Sequence, residues 1–168
     1  DTVIIGDGLV GWAIACELSI RGTAVTIIEG EVPGSATMAA AGMITPGTVF
    51  SDNPAYLPLA TSAMRHYLDL IDTLEALGHG RAGFSRPGGL VLARRASEVP
   101  WLDQVERDLA AKRDAGLGMI GDIQRVDPDQ CRHLVPVLGP DLAGGIWYAG
   151  AAQVVGRDLR SALRSAAI

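Results

Sequence analysis

The segment Gly6-Asp7-Gly8-Leu9-Val10-Gly11 constrains what this chain can fold into more than any other stretch. It follows Thr2 to Ile5, an unbroken apolar run that reads as a central parallel strand buried on both faces. It opens Leu9 to Arg21, where Val10, Ile14 and Leu18 recur at helical spacing and Gly22 stands as a C-terminal stop. Ala24 to Glu29 reads as a second buried strand, so the chain begins with a βαβ unit. In that context the three glycines do different things. Gly6 allows the tight turn, Gly8 lets the backbone approach a pyrophosphate, and Gly11 permits close packing of helix on strand. The helix N-terminus adds unpaired N–H groups and a positive dipole. Glu29, at the end of the second strand, is placed to accept hydrogen bonds from a ribose hydroxyl pair, and its charge disfavours a 2′-phosphate and hence NADP. A glycine-rich turn without a ligand is the plainer alternative. Strand, helix and terminal acid together favour the dinucleotide, but do not separate FAD from NAD. Asp7 runs against the pattern, because a carboxylate in a phosphate turn repels the ligand, and it is expected to face solvent.

The rest of the chain reads as two kinds of structure. Residues 31–53 are rich in Gly, Ala, Ser, Thr and Pro with no clear period, as in a long ordered loop. A helix is expected from about Pro54 to Leu77, with Ala60, Met64, Tyr67, Leu68, Ile71 and Leu74 on one face and Gly78 ending it. After Gly80 the character changes. Pro87-Gly88-Gly89 followed by Leu90 to Ala93 reads as a hairpin, and Leu102, Val105 and Leu109 mark a helix over roughly 98–115. Asp127-Pro128-Asp129-Gln130 has the order of an N-cap, a first-turn proline and a capping-box glutamine, with a short helix to Leu134. Gly145 to Tyr148 and Gln153 to Val155 are strand-like, and 157–167 is helical. The fold class is therefore α/β, a Rossmann-like βαβ domain with part of an inserted α+β domain.

Composition narrows the ligand. With 48% hydrophobic and 20% charged residues the chain can bury a core, and a net charge of −5 gives no footprint for nucleic acid or an anionic membrane. No apolar run reaches bilayer length and no charged leader precedes the first strand, which predicts a cytoplasmic location without a membrane span. Cys16 and Cys131 show no CxxC or metal-ligand spacing and read as reduced structural thiols. His66, His79 and His133 lack ligand spacing, so no metal is expected. Arg81, Arg86, Arg94 and Arg95 read as solvated rim charges, while Trp147 and Tyr148 alternate faces of a strand, one toward a pocket or both in a core. Asp1 as the first residue and Ile168 in a helical pattern read as the ends of an excerpt from a longer chain.

The stretch Ser35 to Pro46, SATMAAAGMITP, closely resembles the flavin-contacting loop of glycine oxidases, the thiamine-pathway enzymes of the D-amino-acid oxidase superfamily, in which an Ala-Ala-Gly-Met core recurs. PGGLVLA at 87–93 is similar to the hairpin opening their substrate domain, and GGIWYAGAAQVVGRDLRSALRSAA at 144–167 to the segment that crosses back, so the resemblance covers nearly the whole chain. This chain has Val155-Gly156 where the family commonly has an acid capping the last helix, and Trp12 is bulkier than usual.

The resemblance implies FAD as the cofactor. It implies Gly6, Gly8, Leu9, Val10 and Gly11 near the pyrophosphate, Glu29 and Gly30 at the adenosine ribose, Ala36 and Thr37 along the cofactor, and Ala41, Gly42 and Met43 beside the flavin ring. Small side chains there let backbone N–H groups reach the isoalloxazine. It also implies a first part of the FAD-binding domain at 1–80, a first part of the substrate domain at 81–150, and a return toward the FAD domain at 151–168. The implied chemistry is oxidation of glycine, sarcosine or another small amino acid: a hydride leaves the α-carbon for flavin N5, the imine hydrolyses, and oxygen is reduced to peroxide. The arginine that holds the substrate carboxylate would lie beyond Ile168, so no catalytic residue is named. A homo-oligomer is compatible with the pattern. Three other readings stay open: a flavin dehydrogenase with another electron acceptor, a non-catalytic nucleotide-binding fragment, and an NAD-linked enzyme. The last is disfavoured by the long loop after Glu29.

Overall fold

A computed structural model describes residues 1–30, 35–48, 53 and 55–168. The chain divides into two compact units, one made of Asp1–Met43, His66–Ser85 and Gln153–Ile168, the other of Ile44–Arg65 and Arg86–Ala152.

The first unit contains the βαβ opening. Strand β1 (Thr2–Ile5) pairs in parallel with β2 (Val25–Ile28), joined by helix α1 (Leu9–Ile20). Gly22, at φ +79°, ends α1: its N–H reaches Ser19 O at 2.9 Å and Thr23 N–H reaches Leu18 O at 2.9 Å, which satisfies the last carbonyls. Helix α2 (Ala36–Ala39) and strand β3 (Met43–Ile44) follow, and the unit is completed by the C-terminal part of α3 (Tyr56–Ala76) and by α6 (Gly156–Ala167). Helix α6 packs on α1, and Ser19 Oγ donates to Ala167 O at 3.1 Å. Trp12, Ala15 and Cys16 of α1 and Leu159, Ala162 and Leu163 of α6 are buried.

The expectation of strands buried on both faces is not met. Val3 is 62% exposed and Ile5 85%, because β1 has one strand partner and its alternate residues have nothing over them. Nor is 31–53 a loop throughout: α2, β3 and a 3₁₀ turn at Pro46–Thr48 occupy part of it, while 31–34 and 49–52 lie outside the described residues, as does Pro54 at the expected start of α3. Short, alanine-rich elements carry too few residues to show a period.

The second unit is built on a three-stranded antiparallel sheet of order β4-β6-β5, from β4 (Gly89–Ala93), β5 (Ile123–Val126) and β6 (Gly144–Tyr148). The local hairpin expected at 87–93 does not form. Gly89 stands opposite Tyr148, so the turn at Gly88 leads into a strand whose partner lies far along the chain. Strand β5 has no counterpart among the elements expected from the sequence. Helix α4 (Val99–Asp114) lays Leu102, Val105 and Leu109 onto this sheet, where they form a core with Ala93, Ile120, Ile146, Tyr148 and Ala151. Helix α5 (Pro128–Leu134) starts as the sequence indicates: Asp127 Oδ1 accepts from Gln130 N at 2.8 Å and Gln130 Oε1 from Asp127 N at 2.8 Å. Thr61, the buried polar residue of this unit, donates to Leu57 O at 2.8 Å and accepts from Gly118 N at 2.8 Å. The chain passes between the units within α3, between Ser85 and Arg86, and at β3 and β7 (Ala152–Gln153).

Candidate cofactor site

The three glycines of the turn are constrained in different ways. Gly6 has φ +110°, in the region open to glycine, and its N–H donates to Ile28 O at 3.0 Å, which ties the turn to β2. A Cβ on Gly11 would lie 2.0 Å from Gly6 O, so α1 comes down on the end of β1 at a distance only glycine permits. Gly8 is the N-cap of α1 with extended backbone, and a Cβ there would meet Thr37 Oγ1 at 3.6 Å, an ordinary contact. The three glycines are thus unequal: Gly11 is demanded by packing, Gly6 by conformation, and Gly8 by neither within this chain. At Gly8, a pyrophosphate pressing against the backbone would supply the missing reason.

A cavity of about 530 Å³ opens beside this turn, lined by Gly6, Asp7, Glu29, Gly30, Ser35 and Arg160 among others. The acid expected at the ribose and the turn expected at the pyrophosphate therefore border one space. Thr37 joins them from α2, its Oγ1 accepting from Leu9 N at 3.1 Å. With that N–H occupied, Val10 N–H is the next donor of the first turn, and its side chain is exposed. Ala36 begins α2 beside Thr37. Ala41 borders a smaller depression of about 220 Å³ with Thr37, Met38, Ala40 and Val154. Gly42 has φ +68°, and a Cβ would fall 1.8 Å from Val154 O; Val154 N–H in turn reaches Gly42 O at 2.9 Å. Met43, in β3, is exposed. All the residues expected at the cofactor fall in the first unit, grouped around the turn, around Glu29, and along the Ala36 to Met43 strip.

Two features differ from expectation. Asp7 does not face solvent. Arg160 of α6 donates through Nε to Asp7 O at 2.7 Å and through Nη2 to Asp7 Oδ2, with both side chains about three-quarters buried. Glu29 also meets an arginine of α6, Arg164, whose Nη1 lies 3.4 Å from Oε1 and whose guanidinium stacks over the Trp12 ring at 5.4 Å. Sequence reasoning did not find Arg160, Arg164, Ser35 or Met38 near the site. The signal available was the one-turn spacing of two arginines on α6, which shows a shared face but not what that face meets. No side-chain hydrogen bond caps α6 at Val155. Cys16 and Cys131 are free and buried, and burial pushes both thiols up. Among the described residues no cluster of His, Cys, Asp or Glu could hold a metal ion, and no helix is long and apolar enough to cross a membrane.

The whole of the chain, residues 1–168, matches the family described as DAO, FAD dependent oxidoreductase. The chain belongs to the DAO family. FAD is the cofactor of that family, and the turn, the acid and the cavity beside them fit a dinucleotide. Among DAO relatives, the uncharacterized oxidoreductase YurR of Bacillus subtilis is 37% identical over 98% of this chain and 43% of its own length. The bifunctional protein ThiO/ThiG of Trichormus variabilis is 31% identical over 99% of this chain and 24% of its own length. Among solved DAO-like folds, iminodiacetate oxidase from Chelativorans sp. BNC1 superposes with a TM-score of 0.88 at 33% identity, covering 99% of this chain and 44% of that one. Glycine oxidase from Geobacillus kaustophilus superposes at 0.81 with 30% identity and the same coverage. The chain spans less than half the length of these relatives.

Proposed function

We propose that the protein is an FAD-dependent oxidase of small amino acids or secondary amines, of the glycine oxidase and iminodiacetate oxidase type, that passes electrons to oxygen to give hydrogen peroxide. The observation that carries this reading is the run of small residues and tight backbone from the Gly6 turn through Thr37 to Gly42, in a chain similar along its length to two oxidases of glycine and iminodiacetate. Both substrates are small and carry an amine next to a carboxylated carbon, which sets the substrate class.

Bound FAD would supply the two-electron acceptor for the substrate C–H bond. The chain's own residues do the binding and orienting. Val10 N–H and the α1 dipole would face the pyrophosphate, and Glu29 would accept from the adenosine ribose. Ala36 and Thr37 would run along the cofactor. Ala41, Gly42 and Met43 would border the ring, where the absence of large side chains admits backbone donors. Gly30, which lines the cavity next to Glu29, would border the adenosine. Residues 1–80 then form the first part of the cofactor-binding domain, 81–150 the first part of the substrate domain and 151–168 the return toward the cofactor domain, and the site of work is the cytoplasm.

The visible absorbance spectrum of the purified protein, before and after anaerobic addition of glycine, sarcosine or iminodiacetate, tests this. Flavin bands that bleach with one of them, and peroxide released on admitting air, are expected. Bands that bleach but yield no peroxide point to a dehydrogenase with another acceptor. A colourless protein that FAD does not reconstitute contradicts the reading.

A further inference from the structure

An acid between the first two glycines of a phosphate turn should weaken binding, yet here it is answered by a partner from the far end of the chain. Arg160 reaches Asp7 at two points, the backbone carbonyl through Nε at 2.7 Å and the carboxylate through Nη2. Both groups are largely withdrawn from water, where charge pairing counts for more than on an open surface. Both line the cavity that Gly6, Glu29 and Gly30 border. One turn further along α6, Arg164 faces Glu29, the second acid of that cavity. Helix α6 therefore brings one cation to each of the two carboxylates that would otherwise set a negative field where two phosphates must enter.

We infer that Arg160 is a positioning residue for the dinucleotide: it cancels the charge of Asp7 and anchors the carbonyl of the glycine turn, and so makes a turn with an acid at its second position competent to take a pyrophosphate. The inference rests on the flavin reading above. Two of the guanidinium donors are spent on Asp7, so the residue acts on the ligand through the turn. Asp7 and Arg160 then form one functional unit: removing the arginine exposes a carboxylate to the phosphates, whereas removing both charges restores a turn of ordinary polarity. Arg160→Lys keeps the charge but loses the two-point grip, and falls between.

The test is a mutant cycle on the dissociation constants of FAD and of ADP, measured by fluorescence quenching and calorimetry on the purified protein. Circular dichroism and melting temperature serve as the folding control. With Asp7 present, Arg160→Ala is expected to weaken FAD and ADP by at least about tenfold, the effect of an uncompensated like charge at short range. In the Asp7→Asn background the same substitution is expected to change affinity by less than about threefold. Equal losses in both backgrounds would overturn the inference, since Arg160 would then be gripping phosphate directly or holding the fold. If Arg160→Ala fails to fold, Asp7→Asn alone decides. It should bind FAD at least as tightly as the native protein and with a steeper dependence on salt, because Arg160 is left unpaired beside the phosphates. A loss of about tenfold in Asp7→Asn contradicts the inference. A native protein that takes ADP but not FAD defeats the flavin reading alone, and the cycle on ADP still decides the role of Arg160.

Discussion

The two units solve the problem of a small sheet in opposite ways. In the second, β6 lies between β4 and β5, and α4 seals one face with Leu102, Val105 and Leu109, so that Ile146 and Tyr148 are fully withdrawn from water. In the first, a two-stranded sheet leaves Val3, Ile5 and Ile28 exposed, and order at the turn comes from glycine contacts and from ion pairs to α6. One unit is defined by what it buries. The other leaves open, beside its cavity, an extended Gly8 and first-turn N–H groups. A fold that must admit a ligand keeps backbone donors unspent, and stability is drawn instead from regions that need no such opening.

Substitutions should therefore separate stability from flavin retention. The largest effect on unfolding is expected from Ile146→Ala, which empties the middle of the second unit's core; a loss of about 2–5 kcal/mol in denaturant unfolding should accompany unchanged flavin absorbance in the folded protein. Loss of flavin at normal stability would break the contrast. Gly11→Ala should cost about 1–3 kcal/mol, because its methyl meets a backbone oxygen that cannot yield, and should weaken FAD by at least about tenfold in a binding titration. Asp127→Ala removes one arm of the capping box on α5, and a drop of about 1 kcal/mol with no change in FAD affinity is expected from paired melting and binding curves.

The smallest effect is one of pH. Backbone N–H groups of Arg94 and then Arg95 hold the Glu98 carboxyl below the ordinary carboxylate range. A carboxyl lowered in the folded state stabilises above its unfolded pKa, and that contribution disappears as pH falls through the folded value. Melting temperatures measured downward from about pH 5 should thus fall more steeply for the native protein than for Glu98→Gln. Parallel curves would show that this cap contributes nothing. Since Glu98 lies in the second unit, flavin binding should be indifferent to it.

How much of this was legible depended on the range of the interactions. The βαβ order of the opening, the capping box at Asp127 and the buried faces of α3 and α4 are written in residues a few positions apart, and those readings agree with the structure, whereas the expected burial of the opening strands does not. Pairing partners are not local. Pro87-Gly88-Gly89 announces a turn but says nothing of the strand at Gly144–Tyr148, and the short Ile-Gln-Arg-Val run of β5, with two polar residues in succession, shows neither a continuous apolar stretch nor apolar–polar alternation. The site divided along the same line. Its glycines and Glu29 could be named from the fingerprint, whereas the answer to Asp7 stands 153 residues away on α6, and only the packing of α6 on α1 brings it there. The expected solvent-facing Asp7 rests on repulsion between a carboxylate and the phosphates, and the structure relieves that repulsion instead with an arginine that no local pattern reveals.

The most direct test of the central claim is a crystal structure of the purified protein with FAD bound. The pyrophosphate is expected over the turn from Gly6 to Gly11 within hydrogen-bond reach of Val10 N–H, the adenosine ribose hydroxyls on Glu29, and the ring beside Ala41 to Met43. An FAD whose pyrophosphate lies elsewhere, with the glycine turn and Glu29 untouched, would contradict it.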